Sequence, residues 1–120
     1  MNLEYFCIHH PPAKDRKEYI SPFFETLNSK VNWIEYFWPQ DKEVECHPVV
    51  NCVHSANGVY LNVAELSCFM KHRYAIKMIA ESKADFGIVF EDDIEIPTFD
   101  WQYNIEMFGA EMIRHNCDID

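Results

Sequence analysis

The run Phe86-Gly87-Ile88-Val89-Phe90 carries no polar side chain and closes on three adjacent carboxylates, Glu91-Asp92-Asp93. An apolar run of that length does not alternate, so it reads as a strand covered on both faces, the pattern of a parallel sheet packed between helices. Three neighbouring carboxylates repel one another, and a fold accommodates them where a cation, a cationic ligand or water offsets their charge. Two readings of the triplet follow: a divalent-metal site at a strand end, or a solvated acidic turn. Oxygen ligands suit Mg²⁺ and Mn²⁺, which keep several waters and bridge to substrate phosphates.

The rest of the chain carries the alternation that such a sheet requires. Leu3 to Ile8 is short and apolar-aromatic and stops at His9-His10-Pro11-Pro12, where neither proline can donate to a sheet ladder. From Ala13 to Asn28, Arg16, Ile20, Phe23 and Leu27 recur at helical spacing, and Ser21-Pro22 is expected to kink the helix or restart it. Trp33 to Phe37 reads as a second strand, and the resulting β-α-β order predicts parallel pairing. Residues 38–60 show no period, and a connection that long is often functional.

Val63 to about Ser82 is the clearest helix. Ala64, Cys68, Ala75, Ile76 and Ile79 form one stripe with Leu66, Phe69, Met70 and Arg73 beside it, an arc wide enough to predict a largely buried helix. Asn62 is placed to cap it, with Glu65 three residues inside and able to reach back. A last helix from about Phe99 to His115 shows Trp101, Ile105, Phe108 and Met112 at core spacing. The fold class these elements predict is α/β, a mostly parallel sheet flanked by helices, in a single domain over residues 1–120.

Composition narrows the partners. A chain 48% hydrophobic and 15% aromatic can build a core, and a formal charge of −10 argues against a nucleic-acid partner. Cysteines at 7, 46, 52, 68 and 117 give neither a CxxC pair nor a zinc knuckle, which points to reduced thiols. No apolar run is long enough to span a membrane and Met1-Asn2-Leu3-Glu4 is not the start of a signal peptide, so the expectation is a soluble cytoplasmic protein.

Acidic residues at the carboxyl end of a parallel strand lie where open α/β sheets bind ligands, which favours the metal reading of the triplet. Glu91 and Asp93, two apart in extended chain, share one side, and Asp92 faces the other, toward a supporting partner or a ribose. Glu65, Cys68 and His72 share a helical face; no ligand spacing there favours zinc, but an imidazole in the middle of that face marks a polar pocket beside it. Arg16, on the apolar stripe of the first helix, must meet a carboxylate or phosphate or else extend to water. His9 and His10 carry little weight as loop histidines. With glycine only at 58, 87 and 109, a Walker-type or dinucleotide-binding loop is disfavoured.

The pattern Glu65-Leu66-Ser67-Cys68-Phe69-Met70-Lys71-His72, followed by Ile88-Val89-Phe90-Glu91-Asp92-Asp93, resembles glycosyltransferase family 25, in which a G-E-x-G-C-x-x-S-H segment precedes a strand ending in L-E-D-D. The opening strand and Asp15-Arg16 also resemble the family's N-L-x-x-x-x-x-R beginning. Ser67 stands where the family has a second glycine, Lys71 where it has a serine, and Asn62-Val63-Ala64 lacks the usual glycine before Glu65. The resemblance implies a GT-A-type, Rossmann-like transferase that moves a hexose such as galactose from a UDP-sugar to a glycan or other hydroxyl acceptor, with inversion, as in lipopolysaccharide biosynthesis. It implies Mn²⁺ (or Mg²⁺) on Asp93 and Glu91, a donor pocket lined by Glu65 and His72, a ribose or second-ligand role for Asp92, and Arg16 at the nucleotide end. Family members continue well past this length, so the resemblance covers the donor half, without the acceptor side or a nameable catalytic base. The competing readings are a non-catalytic remnant or interaction module, able to form a homo-oligomer through an exposed sheet edge, and a metal-dependent phosphohydrolase.

Overall fold

The computed structural model describes residues 1–27, 29–36, 62–95 and 100–114. Along them run β1 (Leu3–Ile8), α1 (Lys14–Glu25), β2 (Val31–Ile34), α2 (Val63–Glu81), β3 (Phe86–Glu91) and α3 (Trp101–Arg114). The strands form a three-stranded sheet in the order β2-β1-β3, with both pairings parallel. This is the α/β, Rossmann-like arrangement that the alternating pattern predicts. The long connection, residue 96 to 99 and the final residues from 115 lie outside the described residues, so the expectations placed on them are not addressed.

The period of two in β1 divides the core. Tyr5 and Cys7 face Ile20, Phe23, Phe24 and Leu27 of α1 and its end, with Phe90 and Trp101 packed against them. Phe6 and Ile8 face the opposite way, onto Ala75, Cys68 and Ile79 of α2. The sheet is therefore covered by α1 and the start of α3 on one face and by α2 on the other. The aromatic side is tightly interlocked: the Phe23 and Trp101 rings lie 4.7 Å apart and Phe90 meets Trp101 edge-on at 5.4 Å.

Several local expectations change. The most buried strand is β1, whose Tyr5 to Ile8 are 5% exposed or less, whereas β3 is only partly buried. The reason is position: β1 is flanked on both sides, and β3 has a described neighbour on one side only. β2 begins two residues earlier than its aromatic run, because its register is set by β1: Tyr5 pairs with Val31, Ile8 with Ile34, and the ladder ends where β1 ends. α1 continues through Pro22 without restarting. Proline removes the donor to the Glu18 carbonyl, while Ser21 Oγ donates to the Lys17 carbonyl at 2.6 Å.

On α2 the buried positions are Leu66, Ser67, Met70, Lys71 and Ala75, a stripe that includes two polar residues. Phe69 and Ile76 of the expected apolar arc are exposed, Ile76 by 62%, since the helix meets the sheet along one side. Its start is as the sequence predicts: Asn62 Oδ1 accepts from the Glu65 N–H and Glu65 Oε2 accepts from the Asn62 N–H, a complete capping box. On α3, Phe108 points outward and Gly109 is buried, its bare Cα against the Phe86 ring and the Met1 side chain.

Gly87 fixes how closely α2 lies on β3. A Cβ there would stand 2.2 Å from Ile79 Cγ1 and 2.8 Å from its Cγ2, both branch atoms that one rotation cannot clear together. Gly87→Ala is expected to lower stability by about 1–3 kcal/mol in urea denaturation; an unchanged midpoint would show that the contact relaxes freely. Cys7 is fully buried and its thiol is pushed up to about 12, by burial first and by Asp92 second. It should therefore stay unmodified in the native chain under iodoacetamide at mildly alkaline pH and react only after unfolding, as peptide mass spectrometry would read.

Candidate functional site

The chain leaves β1 toward β2 on one side of the sheet and returns to β3 on the other, so the carboxyl ends of β1 and β3 border a topological switch point. Their last pairing is Ile8 with Glu91. Just beyond it lies a cleft of about 320 Å³, walled by Ile8 and His10 after β1, Glu91, Asp92 and Asp93 after β3, Arg16 of α1, and Ala64, Ser67, Cys68 and Lys71 of α2. A larger depression of about 550 Å³ lies between the end of α1 and β2, beside Phe24, Leu27 and Trp33. It is away from the strands' carboxyl ends and includes none of the triplet.

The three carboxylates have different surroundings. Asp92 is 6% exposed, whereas Glu91 and Asp93 are exposed at the cleft rim. The Asp92 carboxylate accepts from His9 Nδ1 at 2.7 Å and, at 3.3 Å each, from the His10 backbone N–H and Arg16 Nη1. An ionised carboxylate can only accept, so Nδ1 is the protonated nitrogen of His9 in this contact. Glu91 Oε1 accepts from His72 Nε2 at 2.8 Å in an exposed pair.

His9 is the residue that the sequence reading undervalued. It is 1% exposed, continues the face of Tyr5 and Cys7, and stands edge-on to Trp33 at 5.5 Å. Its backbone N–H donates to the Ile34 carbonyl at 3.1 Å and its carbonyl accepts from Lys71 Nζ at 3.1 Å. Two residues apart from Cys7 in a strand that ends at Ile8, its alternation with Tyr5 and Cys7 was the available signal. Lys71 is also buried, at 3% exposure, and burial pulls its amine below the usual range while Cys68 and Asp92 oppose that shift. Its signal was equally local: Ser67 and Lys71 are one turn apart, and both interrupt the stripe Leu66, Met70, Ala75.

Among the other residues singled out, Arg16 reaches the cleft with half its side chain exposed. Glu65 is engaged in the helix cap, and His72 is turned to Glu91. Burial raises the Cys68 thiol, Glu91 adds to that, and Lys71 works against it. Burial also lowers His10, with the Lys71 charge acting in the same direction. No helix among the described residues is long and apolar enough to cross a membrane.

The model of glycosyltransferase family 25 (LPS biosynthesis protein) matches residues 3–109, nearly the whole chain. No curated protein and no solved structure matches it.

Asp92→Ala would strand the His9 ring and the His10 N–H in a buried setting. The expected loss is about 2–4 kcal/mol in chemical denaturation, with Asp92→Asn, which keeps an acceptor oxygen, losing less. Equal losses would show that charge rather than hydrogen bonding holds the junction.

Proposed function

The chain belongs to glycosyltransferase family 25, and from that premise we propose that the cleft is the nucleotide-sugar site of a GT-A-type transferase, taking a UDP-hexose such as UDP-galactose for transfer to a glycan or other hydroxyl. The observation that carries this reading is the division of the acidic triplet at the switch point: Asp92 is turned inward and fully engaged, and Glu91 and Asp93 are left at the rim. Exposed carboxylates at the mouth of a cleft fit a hard divalent ion, which needs one or two protein oxygens and completes its shell with water and phosphate. Asp93 and Glu91 would hold Mn²⁺ or Mg²⁺ there. When bound, such an ion offsets charge developing on the leaving nucleoside diphosphate, a contribution of several kcal/mol.

The chain's own groups have distinct parts in this proposal. Arg16 makes one hydrogen bond to Asp92 among the described residues, and the rest of its guanidinium fork is open to an anionic group in the cleft. Asp92 positions that fork while holding the His10 backbone at the opposite wall. Lys71 places an ammonium in the wall behind the triplet and limits the repulsion an incoming diphosphate meets. Transfer with inversion also needs a base beside the acceptor hydroxyl, and none of the described residues is assigned to it.

Calorimetric titration of UDP with and without Mn²⁺ tests the reading. Binding is expected to require the metal, to weaken tenfold or more in Asp93→Ala, and to weaken by about 1.5–3 kcal/mol in Arg16→Ala. Metal-independent binding, or unchanged binding in a folded Asp93→Ala, would overturn it, and a retained site with no transfer from UDP-galactose would leave a binding module in place of an enzyme.

A further inference from the structure

Cys68 and His72 stand one turn apart on α2, and Glu91 ends β3 directly opposite them. Cys68 Sγ, a His72 ring nitrogen and a Glu91 carboxylate oxygen all lie within 4.8 Å of one another, and no other such group of ligating side chains forms among the described residues. From this we propose a second metal site on the rim of the cleft, a Zn²⁺-class site with Cys68, His72 and Glu91 as its protein ligands.

The geometry needs little adjustment. With metal–sulfur and metal–nitrogen or –oxygen bonds of about 2.3 and 2.0–2.1 Å, tetrahedral coordination separates the ligand atoms by about 3.3–3.6 Å. The His72–Glu91 hydrogen bond at 2.8 Å would open slightly as the metal replaces its proton, and Cys68 would close in through its side-chain torsion. The helix backbone fixes the Cys68–His72 spacing, so only the Glu91 side chain is carried by another element.

Ligand chemistry decides which ion this is. A thiolate, an imidazole and one carboxylate form a borderline-soft set that favours Zn²⁺ over Mg²⁺ or Mn²⁺, and three protein ligands leave a fourth position for water. Beside Cys68 on the cleft wall, the Ser67 hydroxyl is buried and has no hydrogen-bond partner among the described residues. A bound water is the kind of group that would satisfy it. The site stands on these side chains alone and does not depend on the donor reading, although it shares Glu91 with it.

Co²⁺ is the spectroscopic probe, added to the full chain without nucleotide. The expected result is one equivalent bound with a strong near-ultraviolet thiolate-to-Co²⁺ band and visible bands of tetrahedral coordination, all abolished by stoichiometric Zn²⁺. Cys68→Ser should abolish the thiolate band, and His72→Ala should weaken Zn²⁺ binding tenfold or more. Asp93→Ala should leave both intact, as should a variant with Cys46, Cys52 and Cys117 changed to serine. Far-ultraviolet circular dichroism checks that each variant is folded. A folded wild-type chain with no thiolate band, or a band that survives Cys68→Ser, overturns the proposal.

Discussion

A carboxylate buried at the junction of two strands is the constraint around which this fold closes. Removing Asp92 from water costs several kcal/mol unless donors replace the water, and the chain supplies them from β1's end and from α1. The donors do not contribute equally. Arg16 is half exposed and its ion pair is weakened by solvent, whereas the His9 ring is buried with its acceptor and the shorter distance marks the stronger bond. His9 then spreads the constraint outward: its N–H is tied to β2 through Ile34 and its carbonyl to α2 through Lys71. One carboxylate thus fixes where β1, β2, β3, α1 and α2 meet.

The same junction explains why three adjacent acids can serve a site. Satisfying the middle one internally ties that carboxylate to the junction and leaves the flanking two toward solvent. Without His9 and Arg16, Asp92 would keep only the His10 backbone N–H as a donor. The rim that results carries carboxylate oxygens at Glu91 and Asp93 and, facing Glu91 from α2, sulfur and nitrogen at Cys68 and His72, one helical turn apart. Glu91 belongs to both sets, so hard and soft ions would compete at that residue.

What could be read from the sequence follows the range of the forces involved. β1, the capping box at Asn62 and Glu65, and the body of α2 are local, set by alternation, hydrogen bonding within one turn and periodicity, and the structure has them where the pattern puts them. The start of β2 depends on pairing with β1, which a run of aromatic residues does not encode. The burial of β3 depends on its place in the strand order, and the outward turn of Ile76 and Phe108 depends on how much of each helix the sheet covers. The triplet stood out as a cluster of charges. Of its partners, Arg16 is expected to meet a carboxylate or phosphate or else water, whereas His9 reads as the start of a loop, and the Lys71 that holds the His9 carbonyl stands out only as a departure from the family's serine; the packing of α2 against β1 brings these two together.

Charge at the cleft sets what an anionic ligand meets there. Its walls present the three carboxylates Glu91, Asp92 and Asp93 against the two cations Arg16 and Lys71, a net negative lining in a chain already far on the acidic side. Burial lowers the Lys71 amine from its ordinary range, and the Cys68 and Asp92 beside it oppose that shift. A diphosphate approaching such walls alone would be repelled at short range, where partial burial weakens screening by salt. A divalent ion held at the rim by Glu91 and Asp93, as proposed, would reverse the sign of that field. For the proposed donor, the acidic rim and the anionic ligand would then share one cleft as a three-part assembly, with the proposed cation between them.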